Sequence, residues 1–330
     1  MPDVGNNSAA SWTKCLEDKL IRWTSQENKK GNNSGIVRLR VNFTETRIKS
    51  VTTTIQTNIM ESVIKFINSI DGNYIIIFLI ALFYSIERLL GTTFKFDRRL
   101  PHFLHNLLFM IAFYFASLAF ALVQVGIISW SSTNQVGLFY WIEIPLWLKV
   151  IFGVMCLDFT SYWFHRLAHT LPLFWRLHRV HHSDTTMDTS TFFRGHPLEV
   201  LIFGTSSILA CIVFGIDLPI LGVYFIVVLP FQVAQHANIQ LADWTDKVFG
   251  IVFITPNIHK VHHDQNQYYT DSNFADIFVF WDKLFGTYKY SSVKSRLYGL
   301  KEFDDTKKQT FWYLLISPFI KIKRNISDKP

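Results

Sequence analysis

The sequence predicts an all-α polytopic membrane protein with about four to five transmembrane helices and a cytoplasmic histidine-rich helical cap. Three observations predict it. Only 17% of the 330 residues are charged, against about 25% in an ordinary soluble domain, and mean hydropathy is +0.20. Aromatic residues reach 16%, with 31 Phe, which suits lipid-facing helices with aromatic belts. The chain also holds 12 His, of which eight fall in three tight groups. The apolar load excludes a disordered chain, and three Cys without a motif exclude a disulfide scaffold.

Taken in order, residues 1–59 are polar, carry nine Lys/Arg against five Asp/Glu, and read as a poorly ordered tail. No apolar run follows Met1, so no signal peptide is expected. Residues 60–150 open with an amphipathic entry helix (Val63, Ile64, Ile67, Ile70) and continue into the first transmembrane helices. Tyr74–Leu90 is long enough to cross with its flanks. A loop with Lys95, Arg98 and Arg99 leads to a second span over about Phe103–Trp130 and an uncharged loop, Ser131–Gly137. A third span, about Ile144–Phe164, is interrupted by Lys149 and Asp158. Leu198–Phe214 and Leu218–Ala237, joined by GIDLP, read as a helical hairpin. Beyond Asp243 the chain turns amphipathic, and Phe311–Ile320, within the C-terminal segment 291–330, is too short to span.

Positive-inside counting puts the Lys95–Arg99 loop in the cytoplasm and the uncharged loop opposite, so the third span returns to the cytoplasm. The same rule puts the basic tail outside, although long tails count less in it. Of the formal +7, +4 lies in that tail, and no basic stripe suggests a nucleic-acid partner.

Histidine spacing carries the chemistry. His165-x-x-x-His169 is one group; His178-x-x-His181-His182 and His259-x-x-His262-His263 repeat a second pattern. Residues three and four apart share a helix face, so each group can offer imidazoles together to a metal. Eight clustered His exceed one four-coordinate zinc, which implies two metal ions. His236, ending the fifth span, is a ninth candidate ligand, and His196 a tenth. Asp158, two turns before His165, is a candidate to fix a ligand tautomer, or else a polar residue facing the helical bundle. His102 and His105 read as structural or interfacial. Trp141, Trp147, Trp163 and Trp175 are interface anchors or walls of a lipid channel. Imidazole ligands alone suit iron, zinc, copper or nickel.

These motifs, with DFTSYWFHRLAH at 158–169, LFWRLHRVHHS at 173–183, RGHPLE at 194–199, TPNIHKVHH at 255–263 and SNFADIFVFWDKLFGTY at 272–288, resemble the fatty acid hydroxylase/sterol desaturase superfamily. The resemblance covers about residues 75–290, making 151–290 a fatty acid hydroxylase-like catalytic region. It implies a membrane enzyme of the bacterial inner membrane or endoplasmic reticulum with its active site facing the cytoplasm. It further implies two Fe ions, with zinc as an alternative occupant in purified protein, and O2 as co-substrate. The substrate would be a lipid from the bilayer, a fatty acyl, sterol or alkylglycerol-type molecule, hydroxylated or desaturated. The haem-binding His-Pro-Gly-Gly motif of some relatives is missing, so electrons are expected from a separate cytochrome b5-, ferredoxin- or reductase-type donor. Family members often carry a His where Gln232 stands, four residues before His236. The rival readings are a membrane metal transporter or sensor and a di-zinc lipid hydrolase.

Overall fold

Among the described residues, five helices are long and apolar enough to cross a membrane: Gly72–Leu89, Leu100–Trp141, Leu146–Thr170, Pro197–Phe214 and Leu218–His236. The structure is a computed structural model that describes residues 34–90, 99–291 and 297–323. The chain divides into two compact units, Met1–Asn58 and Ile59–Pro330. Residues 1–33 of the expected tail, Cys15 and the basic Lys95 and Arg98 lie outside the described residues. The entry helix expected at Met60 is α1, Ser34–Ser69, so it begins well before that point.

α2 (Gly72–Leu89) opens on Asp71, whose carboxylate accepts the Asn73 N–H and so satisfies one of the donors a helix start leaves orphaned. α3 (Arg99–Thr133) has 35 residues and is about 50 Å long at 1.5 Å per residue, against a hydrocarbon core of about 30 Å. The excess carries its first turns to the histidine end of the molecule. There His102 meets Asp184 at 2.9 Å, and Asn106 donates to Ser190 at 2.8 Å. Phe115 and Leu122 farther along α3 are exposed, as lipid-facing residues should be.

α4 (Leu146–Thr170) stops because Pro172 forces Leu171 into extended backbone (φ −85°, ψ 122°). Pro172 then starts α5 (Pro172–His182), where its missing N–H costs nothing. That break folds α5 back on α4, bringing the first two histidine groups face to face. α6 (Val200–Phe214) ends at Gly215 in the left-handed region (φ 72°), and a Cβ there would meet Tyr140 at 2.8 Å. Asp217 caps α7 (Leu218–His236), which completes the hairpin and returns to the histidine end. α8 (Pro256–His262) is capped by the Thr255 hydroxyl accepting the Ile258 N–H.

The core lies among α4, α6 and α7, with Val154, Leu157, Ala210, Cys211, Ile220, Leu221, Tyr224 and Val228 buried together. Lipid is as apolar as these side chains, so association here rests on close packing rather than escape from water. At Gly204 on α6 a Cβ would lie 2.2 Å from the Phe120 ring, so glycine is what lets α3 approach. Three buried carboxylates fix the polar end. Glu87 accepts from Thr189 N, Thr189 Oγ1 and Asn238 N at 2.6–2.8 Å. Asp282 accepts from Phe274 N, Ala275 N and Thr287 Oγ1 at 2.7–3.0 Å. Asp158 accepts from Ile277 N, Phe278 N and the Trp281 indole at 2.9–3.1 Å. Asp158 and Asp282 thus hold the loop 274–281 in one place, and Glu87 ties the turn at Thr189 to the chain after α7.

Candidate metal centre

Alternating spans bring the end of α4, all of α5, the end of α7 and α8 to the same end of the bundle. Nine histidines meet there in two groups, each with ligand atoms within 4.8 Å of one another. His165, His169, His178, His182 and His262 form the first; His181, His236, His259 and His263 form the second. Neither repeated trio stays together. Neighbouring helical residues diverge by about 100°, so His178 and His182 turn to the first group while His181 turns to the second. α8 does the reverse: His259 and His263 join the second group and His262 the first. The expectation that each trio serves one metal is corrected by this divergence.

Ring orientation decides what the groups can hold. His165 Nδ1 donates to the Phe274 carbonyl at 2.7 Å, and His262 Nδ1 to the Ser272 carbonyl at 2.6 Å. A carbonyl only accepts, so in both neutral rings Nε2 carries a lone pair. Those two Nε2 atoms face each other at 3.1 Å, and His165 Nε2 lies 3.1 Å from His178 Nε2. In the second group His236 Nδ1 donates to the Gln232 carbonyl at 2.6 Å. Its Nε2 lies 3.0 Å from His181 Nε2 and 3.1 Å from His259 Nε2. Facing lone pairs at this distance repel unless a cation sits between them. Two nitrogens bound to one ion at about 2.1 Å stand about 3.0 Å apart at a right angle and about 3.4 Å apart at the tetrahedral angle. The observed spacing therefore fits a metal ion, and five donors exceed what a tetrahedral structural zinc takes.

Charge agrees with geometry. Burial pushes His178, His181, His182, His259, His262 and His263 well below the usual imidazole range, with neighbouring histidines adding to the effect. All six are neutral at physiological pH, the form that binds metal.

The remaining expectations fare unevenly. His196 is not in either group: its Nε2 donates to the Leu315 carbonyl at 3.1 Å and its Nδ1 accepts the Leu198 N–H, capping the turn Pro197–Glu199. Asp158 bonds the 277–281 loop rather than a ligand. Seven residues of helix separate it from His165 by about 10 Å, too far for one carboxylate. Gln232 turns its amide to Asp276 at 3.0 Å and serves His236 only through its backbone. His102 lies between Asp184 and Asp188, and His105 accepts the Phe311 N–H. Among the tryptophans, Trp175 is buried 5.0 Å from the His169 ring, and Trp163 packs on Phe285. Trp141 and Trp147 are exposed, as interface anchors are.

Sequence reasoning missed the groups that orient the ligands. Asp271 lies 3.1 Å from His169 Nδ1, whereas Glu199, 3.6 Å from His178 Nδ1, stands beyond hydrogen-bond reach. One signal was available: Asn273, beside the carbonyls that hold His165 and His262, has φ 53°, a backbone that favours Asn. Its side chain clamps Ile258 O and Lys289 O.

Residues 150–287 match the family model described as fatty acid hydroxylase. This region belongs to the fatty acid hydroxylase/sterol desaturase superfamily. The matched region contains all nine clustered histidines. The chain is similar to the alkylglycerol monooxygenase of Homo sapiens, 31% identical over 47% of this chain and 33% of that protein. It is also similar to that of Danio rerio, 32% identical over 49% of this chain and 35% of the relative. A very-long-chain aldehyde decarbonylase of Oryza sativa subsp. indica is 29% identical over 52% of this chain and 66% of its own length. The chain thus spans about a third of the length of the alkylglycerol monooxygenases it matches. No solved structure matches it.

Proposed function

We propose that this protein is an O2-dependent membrane oxidoreductase that holds two iron ions and hydroxylates or desaturates a lipid. The observation that carries the reading is the pair of buried imidazole groups, neutral and facing, at one end of five apolar helices. The relatives' names point to alkylglycerols and very-long-chain aldehydes, both long-chain lipids, so a substrate drawn from the bilayer is the class that fits.

Iron bound in the two groups would supply the reduction of O2 and the oxidation of a C–H bond. The first ion would be held by His165, His169, His178, His182 and His262, the second by His181, His236, His259 and His263. The chain does the rest. The carbonyls of Phe274, Ser272 and Gln232 keep Nε2 of three ligands aimed inward. Phe203 on α6 lies 6.1 Å from His165 and 5.8 Å from His178, and Phe192 lies 6.0 Å from His236. These rings wall both groups with apolar surface, which excludes water and favours an alkyl chain beside the ligands. The positive-inside count favours a cytoplasmic site, and the family resemblance favours a bacterial inner membrane or the endoplasmic reticulum and a separate electron-donor protein.

Lipidomics by mass spectrometry on expressing and non-expressing cells grown under 18O2 tests the proposal. Labelled mass gain indicates hydroxylation, and loss of two hydrogens without label indicates desaturation. Lipid turnover that persists without oxygen would replace this reading with di-zinc hydrolysis. Metal transport into proteoliposomes without O2 uptake would replace it with a transporter.

A further inference from the structure

A second polar feature lies beside the first histidine group. A cavity of about 230 Å³ is lined by His169, Thr170, Trp175, Arg176, Arg179 and Ile322, with Pro172 at its edge. Arg179 is 3% exposed. One of its terminal nitrogens donates to the backbone carbonyls of Ser317 and Ile320, yet its Nε–H is buried without a hydrogen-bond partner. A buried, unsatisfied guanidinium donor is expensive. Among the described residues, no carboxylate pairs with Arg176 or Arg179 within salt-bridge distance, although five such pairs form elsewhere.

Size narrows the ligand. Pockets for drug-sized molecules run from about 300 to 1,000 Å³, so this cavity is too small for a lipid chain and large enough for a headgroup. Two guanidinium groups with no carboxylate at salt-bridge distance among the described residues suit an anion, and planar N–H forks suit phosphate oxygens. We propose that this cavity is a phosphate-binding subsite, with Arg176 and the Nε of Arg179 as its donors. A phosphate held there would lie beside His169. Two sources share that chemistry, the headgroup of an anionic phospholipid and free phosphate.

The test uses the full-length, metal-loaded protein in nanodiscs. Inorganic phosphate binding is followed by calorimetry in phosphatidylcholine discs, and phospholipid retention by native mass spectrometry in discs containing phosphatidic acid. Phosphate binding in phosphatidylcholine discs would identify a free-anion site. Retention of phosphatidic acid over phosphatidylcholine, without binding of inorganic phosphate, would identify a headgroup site. In either case Arg176→Gln should weaken the interaction about tenfold or more, as loss of a charge-assisted pair does, while Arg176→Lys weakens it less. Arg179→Lys keeps the charge but lacks Nε and should also weaken it. Metal content of each variant checks that the neighbouring group is intact. Binding of neither probe, or equal binding by wild type and Arg176→Gln, overturns the proposal. The readout is binding rather than turnover, so its failure leaves the lipid-oxidation reading standing.

Discussion

The two histidine groups are built from the same motifs but supported differently. In the five-histidine group, His165 and His262 donate to carbonyls, His169 faces the Asp271 carboxylate at 3.1 Å, and Glu199 stands 3.6 Å from His178. In the four-histidine group, His236 donates to Gln232 and His181 is bonded by the Arg194 backbone. Buried Nδ1 atoms without a partner occur in both, at His178 and His182 in the first group and at His259 and His263 in the second, but among the described residues no carboxylate pairs with any of the four. Outer hydrogen bonds fix ring orientation and raise ligand basicity. The difference teaches that one motif family can build two sites side by side that differ in donor number and in the carboxylate that holds His169 on one side.

The largest predicted effect separates the groups directly. His262→Ala and His263→Ala remove adjacent residues from opposite groups, so each variant should keep about one of two ions and lose lipid oxidation. Full metal content in either would break the assignment. The next effect is the order of metal loss. Titration with a chelator should empty the four-histidine group first, and Asp271→Asn should reverse or blur that order by lowering affinity about 10- to 100-fold in the other group. A single-phase release unaffected by Asp271→Asn would erase the comparison.

A smaller effect follows from pH. Six histidines outside the spans have folded pKa values depressed below the ordinary 6.5 by burial. Below about pH 6.5 the unfolded chain takes up protons that the native chain does not, so stability present above that pH is lost as pH falls. Melting temperature of metal-stripped protein should therefore drop between pH 7.5 and 5.5, with both groups contributing. A flat profile would mean that these rings are not buried as neutral bases. The smallest effect is a control common to both groups. Asp158→Asn should cost about 1–3 kcal/mol by weakening the bonds to Ile277, Phe278 and Trp281, and should leave two ions bound.

Much of this was legible before the structure. Apolar runs gave the spans because a membrane helix must bury every backbone polar group within itself, and the three boxes named eight of the nine clustered histidines. His236 was legible from its position at the end of a span on the expected side. The partition of the groups was not, although helix geometry contains it: His181 and His182 diverge by about 100°, as do His262 and His263. His196 misled because a lone histidine beside a proline caps a turn as readily as it binds a metal. The partners of the ligands were hidden for a deeper reason. Ser272 and Phe274 act through backbone carbonyls, which any residue supplies, and their placement depends on Asp282 and Asn273 elsewhere in the loop.

The most direct test of the central claim is the number of metal ions per chain in the full-length protein and in His262→Ala and His263→Ala, by elemental mass spectrometry after anaerobic loading with Fe(II). Two sites predict about two ions in the wild type and about one in each variant. One ion in the wild type, or the loss of both from a single substitution while the protein remains folded, would contradict two separately ligated sites.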